Sequence, residues 1–296
     1  MTLSRTRLAL PSPSQRVPLF ASLRDSDPLC NRVAWSEAEP SGCRALTHPA
    51  HRPGQGYIPT ERQAEILADD HLANLVWGGF RAGKTATSCV KASLLTISFF
   101  SRHYDKADGQ VAWLVGATYE KVRGEFSGPE YGMSEVLRRM WPAGVRSSKD
   151  LAPGTISVAT PCALHPPGSQ HDRTCKNGTF LIKTKSAEDP TSINMEAPVW
   201  IILAEAAHST HEVYLRCLSR LSEARSRFPG FGMLILEGTA DTPDASLGWY
   251  AQLWKEWQVR ELQEGRNAKS FSLSSGSNTL RYPGGEEAPE LLDRPA

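Results

Sequence analysis

Residues Gly78–Thr85 read Gly-Gly-Phe-Arg-Ala-Gly-Lys-Thr and fit the phosphate-loop pattern G-x-x-x-x-G-K-[ST]. Gly78 and Gly83 permit backbone angles that turn amide N–H groups inward around a phosphate. The lysine supplies a positive charge for the β- and γ-phosphates of a nucleotide, and the threonine hydroxyl is a ligand for Mg²⁺. The predicted nucleotide-binding residues of this loop are Gly78, Gly79, Phe80, Arg81, Ala82, Gly83, Lys84 and Thr85.

The flanking sequence decides between a phosphate site and a glycine-rich turn with an incidental lysine. The apolar run Ala73–Trp77 precedes the loop and predicts a strand, whereas Thr85–Phe100 predicts a helix. A strand, a loop and a helix in this order are the context that the motif requires. The helix would direct its positive N-terminal end at a bound anion. We therefore interpret the loop as a phosphate site.

A carboxylate follows a second apolar run. Val199–Leu203 predicts a strand, and Glu205 comes two residues after it. A glutamate at this place can orient the water that attacks a phosphate. The aspartate that usually precedes such a glutamate and holds Mg²⁺ through water is absent, because Ala204 stands there. The alternative is that Glu205 is an acidic residue at a helix N-terminus, stabilised by the helix dipole.

A small polar motif follows a third run. Met233–Leu236 predicts a strand, and it leads through Glu237 and Gly238 to Thr239. Thr239 is predicted to sense the γ-phosphate and pass that state to a neighbouring domain, although an ordinary strand-ending turn fits equally well by itself. Glu237 is a candidate supporting carboxylate for the metal.

The remaining elements complete an α/β pattern. Val111–Val115 is another continuous apolar run, which suits a strand covered on both faces of a parallel sheet. Thr155–Thr160 and Thr179–Lys183 predict an additional pair of strands, and Arg62–Leu67 predicts a short helix. The predicted fold is a P-loop NTPase of the RecA or ASCE type, with a mainly parallel sheet flanked by helices.

The composition excludes several classes of protein. The chain has 296 residues, 33 Lys and Arg, 32 Asp and Glu, and a net charge of +1, which excludes a broadly basic or acidic protein. No apolar run approaches the roughly 20 residues that cross a bilayer. Six irregularly spaced cysteines do not form a disulfide scaffold, so a reducing cytoplasm is the expected compartment.

We expect three regions. Residues 1–55 lack periodicity and predict a disordered leader; sequence upstream of the true start and a transit peptide are the alternatives. Residues 56–275 form the predicted P-loop ATPase domain. Residues 276–296 are predicted to be a linker-like tail.

The ordered set of motifs resembles the ATPase domain of the large terminase subunit of tailed phages and prophages. The resemblance rests on Thr60-Glu61-Arg62-Gln63, the phosphate loop, KTKSAEDPTSINMEAP, IILAEAAH, LEGTADTPDASLGWYAQLW and SFSLSSGSNTLRYPGG. It implies that Gln63 contacts adenine, that Lys84 and Thr85 bind phosphate and Mg²⁺, and that Glu205 is the catalytic carboxylate. Thr239 falls in the motif that couples hydrolysis to movement. Arg81 would replace an arginine that many members carry at the position of Phe80.

The same resemblance implies ATP and Mg²⁺ as cofactors and double-stranded DNA as the translocated partner. It also implies a homo-oligomeric ring on a portal, a small terminase subunit, the host-cell cytoplasm and no membrane. Family members continue into a nuclease domain, whereas this chain ends at Ala296, so we expect a truncated product without nuclease activity. A helicase-type ATPase and a non-hydrolysing P-loop remnant are the alternative functions.

Two further patterns are weaker. Cys162, His165, His171 and Cys175 have ligand types suited to Zn²⁺, although an exposed variable loop explains them as well. Four arginines between the second and third runs could reach a neighbouring subunit or DNA phosphates, or simply form a solvated helix face. They are Arg216, Arg220, Arg225 and Arg227.

Overall fold

A computed structural model describes much of the chain after residue 58. The described residues are 59–79, 81–129, 131–140, 144–149, 153–164, 177–188, 193–239, 248–261 and 267–276. The predicted leader, residues 1–55, and nearly all of the predicted tail lie outside them, so both remain predictions.

Helices and strands alternate along most of this part of the chain. The helices are α1 (Glu61–Ala68), α2 (Lys84–Arg102), α3 (Arg123–Ser127), α4 (Met133–Met140), α5 (His211–Arg227) and α6 (Gly248–Glu256). The strands are β1 (Ala73–Gly78), β2 (Val111–Gly116), β3 (Val145–Lys149), β4 (Thr155–Cys162), β5 (Asn177–Ser186), β6 (Trp200–Leu203), β7 (Met233–Gly238) and β8 (Ala268–Leu273). Short 3-10 turns cover Tyr104–Lys106 and Ala206–His208.

The described strands form one sheet in the order β3-β4-β5-β2-β6-β7-β1-β8. The six strands from β5 to β8 in this order pair in parallel, whereas β3 and β4 extend the β5 edge as antiparallel strands. Strand β7 separates β1 from β6. The carboxyl ends of β1, β7 and β6 therefore lie side by side at one edge of the sheet, which is where ligands bind in open α/β sheets.

Both faces of the sheet are covered, which explains the continuous apolar runs. Along β2, Ala112 and Leu114 pack into the core on the α2 side, whereas Trp113 and Val115 pack into the core on the α5 side. Helix α2 is buried along nearly its whole length, and its Thr96 hydroxyl accepts a 3.0 Å hydrogen bond from the Trp200 indole. This packing holds the helix that follows the phosphate loop against β6.

A buried lysine and a buried aspartate connect α1 to α2. The Lys91 ammonium donates to the carbonyl oxygens of Ile66 (2.5 Å) and Asp69 (2.7 Å) at the end of α1. The Asp69 carboxylate accepts hydrogen bonds from the His71 ring and from Asn74. Burial disfavours ionised Asp69, but the His71 hydrogen bond and the Lys91 charge outweigh it and lower the Asp69 pKa from 3.8 to about 2. Burial also lowers the Lys91 pKa to about 8.

The predicted runs are confirmed as β1, β2, β6 and β7, and the additional pair as β4 and β5. Helices α1 and α2 also agree, each extended slightly at both ends. Strands β3 and β8 and helices α3 and α4 were not predicted. Within the described ranges, no helix has the length and apolar character needed to cross a membrane.

The pKa of Asp69 generates a stability prediction. A carboxyl group whose folded pKa lies below its unfolded value stabilises the protein above the unfolded pKa, and this stabilisation is lost as the pH falls through the folded pKa. Asp69→Asn should therefore lower the free energy of unfolding by about 2 kcal/mol near neutral pH. The difference from wild type should narrow as the pH falls below 3.8. Denaturant unfolding across this range measures it, with the exposed Asp105→Asn as the control. A difference in the free energy of unfolding that does not change with pH would contradict the lowered pKa of Asp69.

Candidate active site

Three neighbouring strand ends build the site. The phosphate loop begins at the end of β1, Thr239 follows β7 directly, and Glu205 lies two residues after the end of β6. Trp77 of β1 pairs with Gly238 of β7, so the loop and Thr239 leave the sheet at the same level. Along the chain Lys84 and Thr239 are 155 residues apart and Thr239 and Glu205 are 34 residues apart, and the parallel pairing of the strands brings all three together.

The loop requires glycine where the backbone comes close to its neighbours or turns. A Cβ atom on Gly78 would lie 2.6 Å from the Leu273 carbonyl oxygen of β8, which is too close for any side chain. Gly83 has φ 84° and begins α2 from the left-handed region. Arg81 also has a positive φ, 59°, and its side chain is exposed at the turn of the loop. Phe80 lies outside the described residues.

The Lys84 ammonium joins the loop directly to the end of β7. It donates to the carbonyl oxygens of Gly78 (3.0 Å) and Gly79 (2.9 Å) and to the Thr239 hydroxyl (3.0 Å). The Thr239 hydroxyl in turn donates a hydrogen bond to Oε2 of Glu205 at 3.4 Å. Lys84, Thr239 and Glu205 thus form one connected polar chain, and Lys84 is only 8% exposed.

Glu205 occupies an unfavourable backbone conformation. Its φ of 44° and ψ of 49° lie in the left-handed region, which costs a non-glycine residue about 1 kcal/mol or more. The residue is the N-cap of the 3-10 turn Ala206–His208, and its side chain makes no capping hydrogen bond there. The carboxylate contacts Thr239 instead, so the geometry does not favour the alternative that Glu205 only caps a helix.

Two further carboxylates surround the first turns of α2. The Thr85 hydroxyl donates to Oε1 of Glu125 at 3.3 Å, and the Ser88 hydroxyl donates to Oε2 of Glu237 at 2.7 Å. The Cys89 thiol donates to the Glu125 carbonyl oxygen, which fixes α3 against α2. The structure therefore places Glu125, rather than Glu205, within hydrogen-bond distance of Thr85.

These carboxylates are buried and repel one another. Burial, followed by the charge of Glu125 and then of Glu205, raises the pKa of Glu237 well above its usual range. Burial is also the main cause of the raised pKa of Glu125, with a contribution from Glu205. The Lys84 charge acts in the opposite direction on Glu237. The site therefore combines one buried cation with three acidic groups, and burial disfavours the ionised form of two of them.

Aromatic side chains close the site behind β7. The Tyr250 hydroxyl donates to the Val76 carbonyl oxygen at 3.0 Å, and its ring contacts Gly238, where a Cβ atom would lie 3.1 Å from the ring. Trp77 stacks on Tyr250 and also contacts Trp254, with ring centroids 5.4 Å apart in both pairs. Helix α6 thereby packs directly behind the residue that precedes Thr239.

Gln63 lies beside the phosphate loop. It is 4% exposed, and its amide nitrogen donates to the Ala82 carbonyl oxygen at 3.3 Å. Its amide oxygen accepts from the Thr60 backbone N–H, which completes a capping box at the start of α1. In this structure the glutamine therefore supports the loop, and its predicted adenine contact stays a prediction.

Two weaker sequence predictions concern a Zn²⁺ site and the arginines of α5. Cys162 is buried at the end of β4, whereas His165, His171 and Cys175 lie outside the described residues, so the Zn²⁺ alternative stays a prediction. The arginines of α5 have local partners: the Glu212 and Glu223 carboxylates and the carbonyl oxygens of Asn194 and Gly232. These contacts favour the structural interpretation of that helix face.

Sequence reasoning missed Glu125 entirely. It lies in the five-residue helix α3, beyond the end of β2, and no strand-end motif marks it. Ser88 and Tyr250 were also missed, because a serine and a tyrosine within helices carry no motif. Glu237 could be identified because it ends an apolar run.

The ATPase domain of the large terminase of Thermus phage P74-26 is similar in structure, with a TM-score of 0.52 and 17% identity over 80% of this chain and 92% of that chain. A single-residue variant of that domain matches with the same TM-score, 18% identity and the same coverage. No protein-family model and no curated protein matches the chain. The likeness confirms the predicted P-loop fold, as found in large terminase ATPase domains.

The left-handed backbone at Glu205 generates a prediction. Glycine tolerates this conformation without a steric cost, whereas alanine does not. Glu205→Gly should therefore be more stable than Glu205→Ala by about 1 kcal/mol. Denaturant unfolding of the two variants measures the difference, and both lack the carboxylate, so only the backbone differs. The same pair at Glu212, within helix α5, should show the opposite order.

Proposed function

We propose that the chain is the ATP-binding and ATP-hydrolysing motor domain of a viral DNA-packaging terminase large subunit. The observation that carries this proposal is the connection from Lys84 through Thr239 to Glu205 across three adjacent strand ends. It unites a phosphate-binding lysine, a polar residue that can respond to phosphate, and a carboxylate. The fold, shared with a phage terminase ATPase domain, supports the choice among P-loop functions.

Each residue has a defined task in ATP hydrolysis. The Lys84 ammonium leaves the loop carbonyl oxygens to bind phosphate oxygens, which are stronger acceptors because they are charged. Glu205, which is only partly buried, orients a water molecule for in-line attack on the γ-phosphate. Thr239 lies between the two and transmits a change at either one. Arg81, exposed on the loop, adds positive charge at the phosphates.

Mg²⁺ fits the chemistry of the site, since Thr85 and the carboxylates beside it offer oxygen ligands. When bound, the ion would neutralise charge that develops on the phosphates. Gln63 would turn toward adenine from its place under the loop.

The proposed partner is double-stranded DNA. We propose further that the domain works in a homo-oligomeric ring on a portal and together with a small terminase subunit. Helix α6 supports the coupling part of this proposal, because its Tyr250 packs against Gly238 at the end of β7. The non-hydrolysing remnant remains the competing function, and it is favoured by the alanine at position 204.

Lys84→Ala should abolish detectable ATP binding and leave the fold intact, because it removes the main cation of the phosphate loop. Equilibrium binding of a fluorescent ATP analogue, with circular dichroism as the folding check, measures this. Lys121→Ala removes an exposed lysine and serves as the matched control. Unchanged ATP affinity in a folded Lys84→Ala variant would contradict the proposed site.

Glu205→Gln should retain ATP binding and lose turnover, because the amide cannot polarise the attacking water as a carboxylate does. Phosphate release in the presence of DNA and excess Mg²⁺ measures turnover, and Glu212→Gln, on the exposed surface of α5, is the control. Hydrolysis at the wild-type rate in Glu205→Gln would place the catalytic base elsewhere. Nucleotide binding without any turnover in the wild-type chain would favour the remnant.

A further inference from the structure

Two carboxylate oxygens beside the phosphate loop are buried without a hydrogen-bond donor. They are Oε2 of Glu125 and Oε1 of Glu237. The two residues are 6% and 2% exposed, so bulk solvent hardly reaches these oxygens. A buried ionised carboxylate without a partner is strongly destabilising, and native structures retain one where it serves a purpose.

The positions of these oxygens indicate what they could bind. The other oxygen of Glu125 is held by Thr85, and the other oxygen of Glu237 is held by Ser88, one turn further along α2. The Glu125 and Glu237 carboxyl groups are close enough to share a hydrogen bond when one of them is protonated. When both groups are ionised they have no hydrogen to share, and a cation can then satisfy the two unpartnered oxygens.

We propose that Glu125 and Glu237 form a carboxylate pair that holds the Mg²⁺ ion of the nucleotide, and that it takes the place of the aspartate missing at Ala204. The pair reaches the site from two elements, α3 and the end of β7, neither of which carries the acidic strand motif. This inference rests on the proposed function, because the phosphates of the nucleotide are the expected remaining ligands.

The donor set suits Mg²⁺ in particular. Carboxylate and hydroxyl oxygens are hard ligands, and Mg²⁺ usually keeps several waters while binding one or two carboxylates and substrate phosphates. Among the described residues, no cluster of three or more His, Cys, Asp or Glu side chains is arranged to hold a metal by itself. A site with two carboxylates that is completed by phosphate and water agrees with that finding.

Removing either carboxylate should weaken metal binding and spare nucleotide binding. Glu125→Gln and Glu237→Gln should each reduce the affinity for Mn²⁺, measured by electron paramagnetic resonance with a non-hydrolysable ATP analogue, about 10- to 100-fold. Affinity for the analogue in excess EDTA should remain at the wild-type level, because Lys84 is intact. Glu120→Gln, an exposed residue in the segment before α3, is the matched control and should leave both affinities unchanged.

Thermal unfolding separates metal binding from a purely structural role. Without metal, both glutamine variants should melt at or above the wild-type temperature, since a buried like-charge contact is removed. Addition of Mn²⁺ and the analogue should raise the melting temperature of the wild type more than that of either variant.

Three results would overturn the inference. Wild-type Mn²⁺ affinity in both folded variants would show that a shared proton, rather than a metal, joins the pair. Melting temperatures lowered equally with and without Mn²⁺ would indicate only a structural role. Absence of analogue binding by the wild-type chain both in EDTA and with Mn²⁺ would contradict the proposed function, and the inference would fail with it.

Discussion

The site depends on the buried ammonium of Lys84. It contacts two carbonyl oxygens of its own loop and the hydroxyl of Thr239, so the ends of β1 and β7 are held together by one side chain. A buried lysine is stable when hydrogen bonds replace the water that it has lost. The same contacts keep its charge at the mouth of the loop, beside acidic residues that would otherwise repel one another without compensation. Because phosphate can replace the carbonyl acceptors, nucleotide binding would change what Thr239 contacts.

The order of the strands determines which residues can join this network. Because β7 lies between β1 and β6, Thr239 stands between the phosphate loop and Glu205 and contacts both sides. Glu125 is not placed by a neighbouring strand end, because two strands separate β2 from β1. It reaches the site because α3, which follows β2 in the chain, packs against the first turns of α2. Burial of α2 on nearly all sides gives Thr85, Ser88 and Lys84 fixed positions. Packing that is remote from the phosphates thus sets the geometry of the polar groups.

The central strands of the sheet could be predicted from the sequence, whereas the edge strands and Glu125 could not, and the reasons are physical. Strands β1, β2, β6 and β7 are covered on both faces, so each forms a continuous apolar run that can be recognised by itself. Strand β3 is largely exposed and reads Val-Arg-Ser-Ser-Lys, which carries no apolar period. Strand β8, Ala-Lys-Ser-Phe-Ser-Leu, is also polar at several positions, so its composition does not indicate a strand. It is a strand because its backbone pairs with β1. Glu125 could not be found in this way, because its role follows from the packing of α3 on α2.

Glu205, which belongs to this polar network, is also a residue with a strained backbone. Its left-handed conformation is unfavourable, and neither a turn requirement for glycine nor a capping hydrogen bond explains it. What the conformation achieves is the contact between its carboxylate and Thr239, at the end of the strand whose Gly238 packs against Tyr250 of α6. A residue held in a costly conformation can relax when its partner moves. Loss of the Lys84–Thr239 contact on phosphate binding would therefore change the contacts of both Glu205 and α6. The aromatic contacts of Trp77 with Tyr250 and Trp254 connect the last residues of β1 to α6 and give such a displacement a packed path away from the phosphate loop.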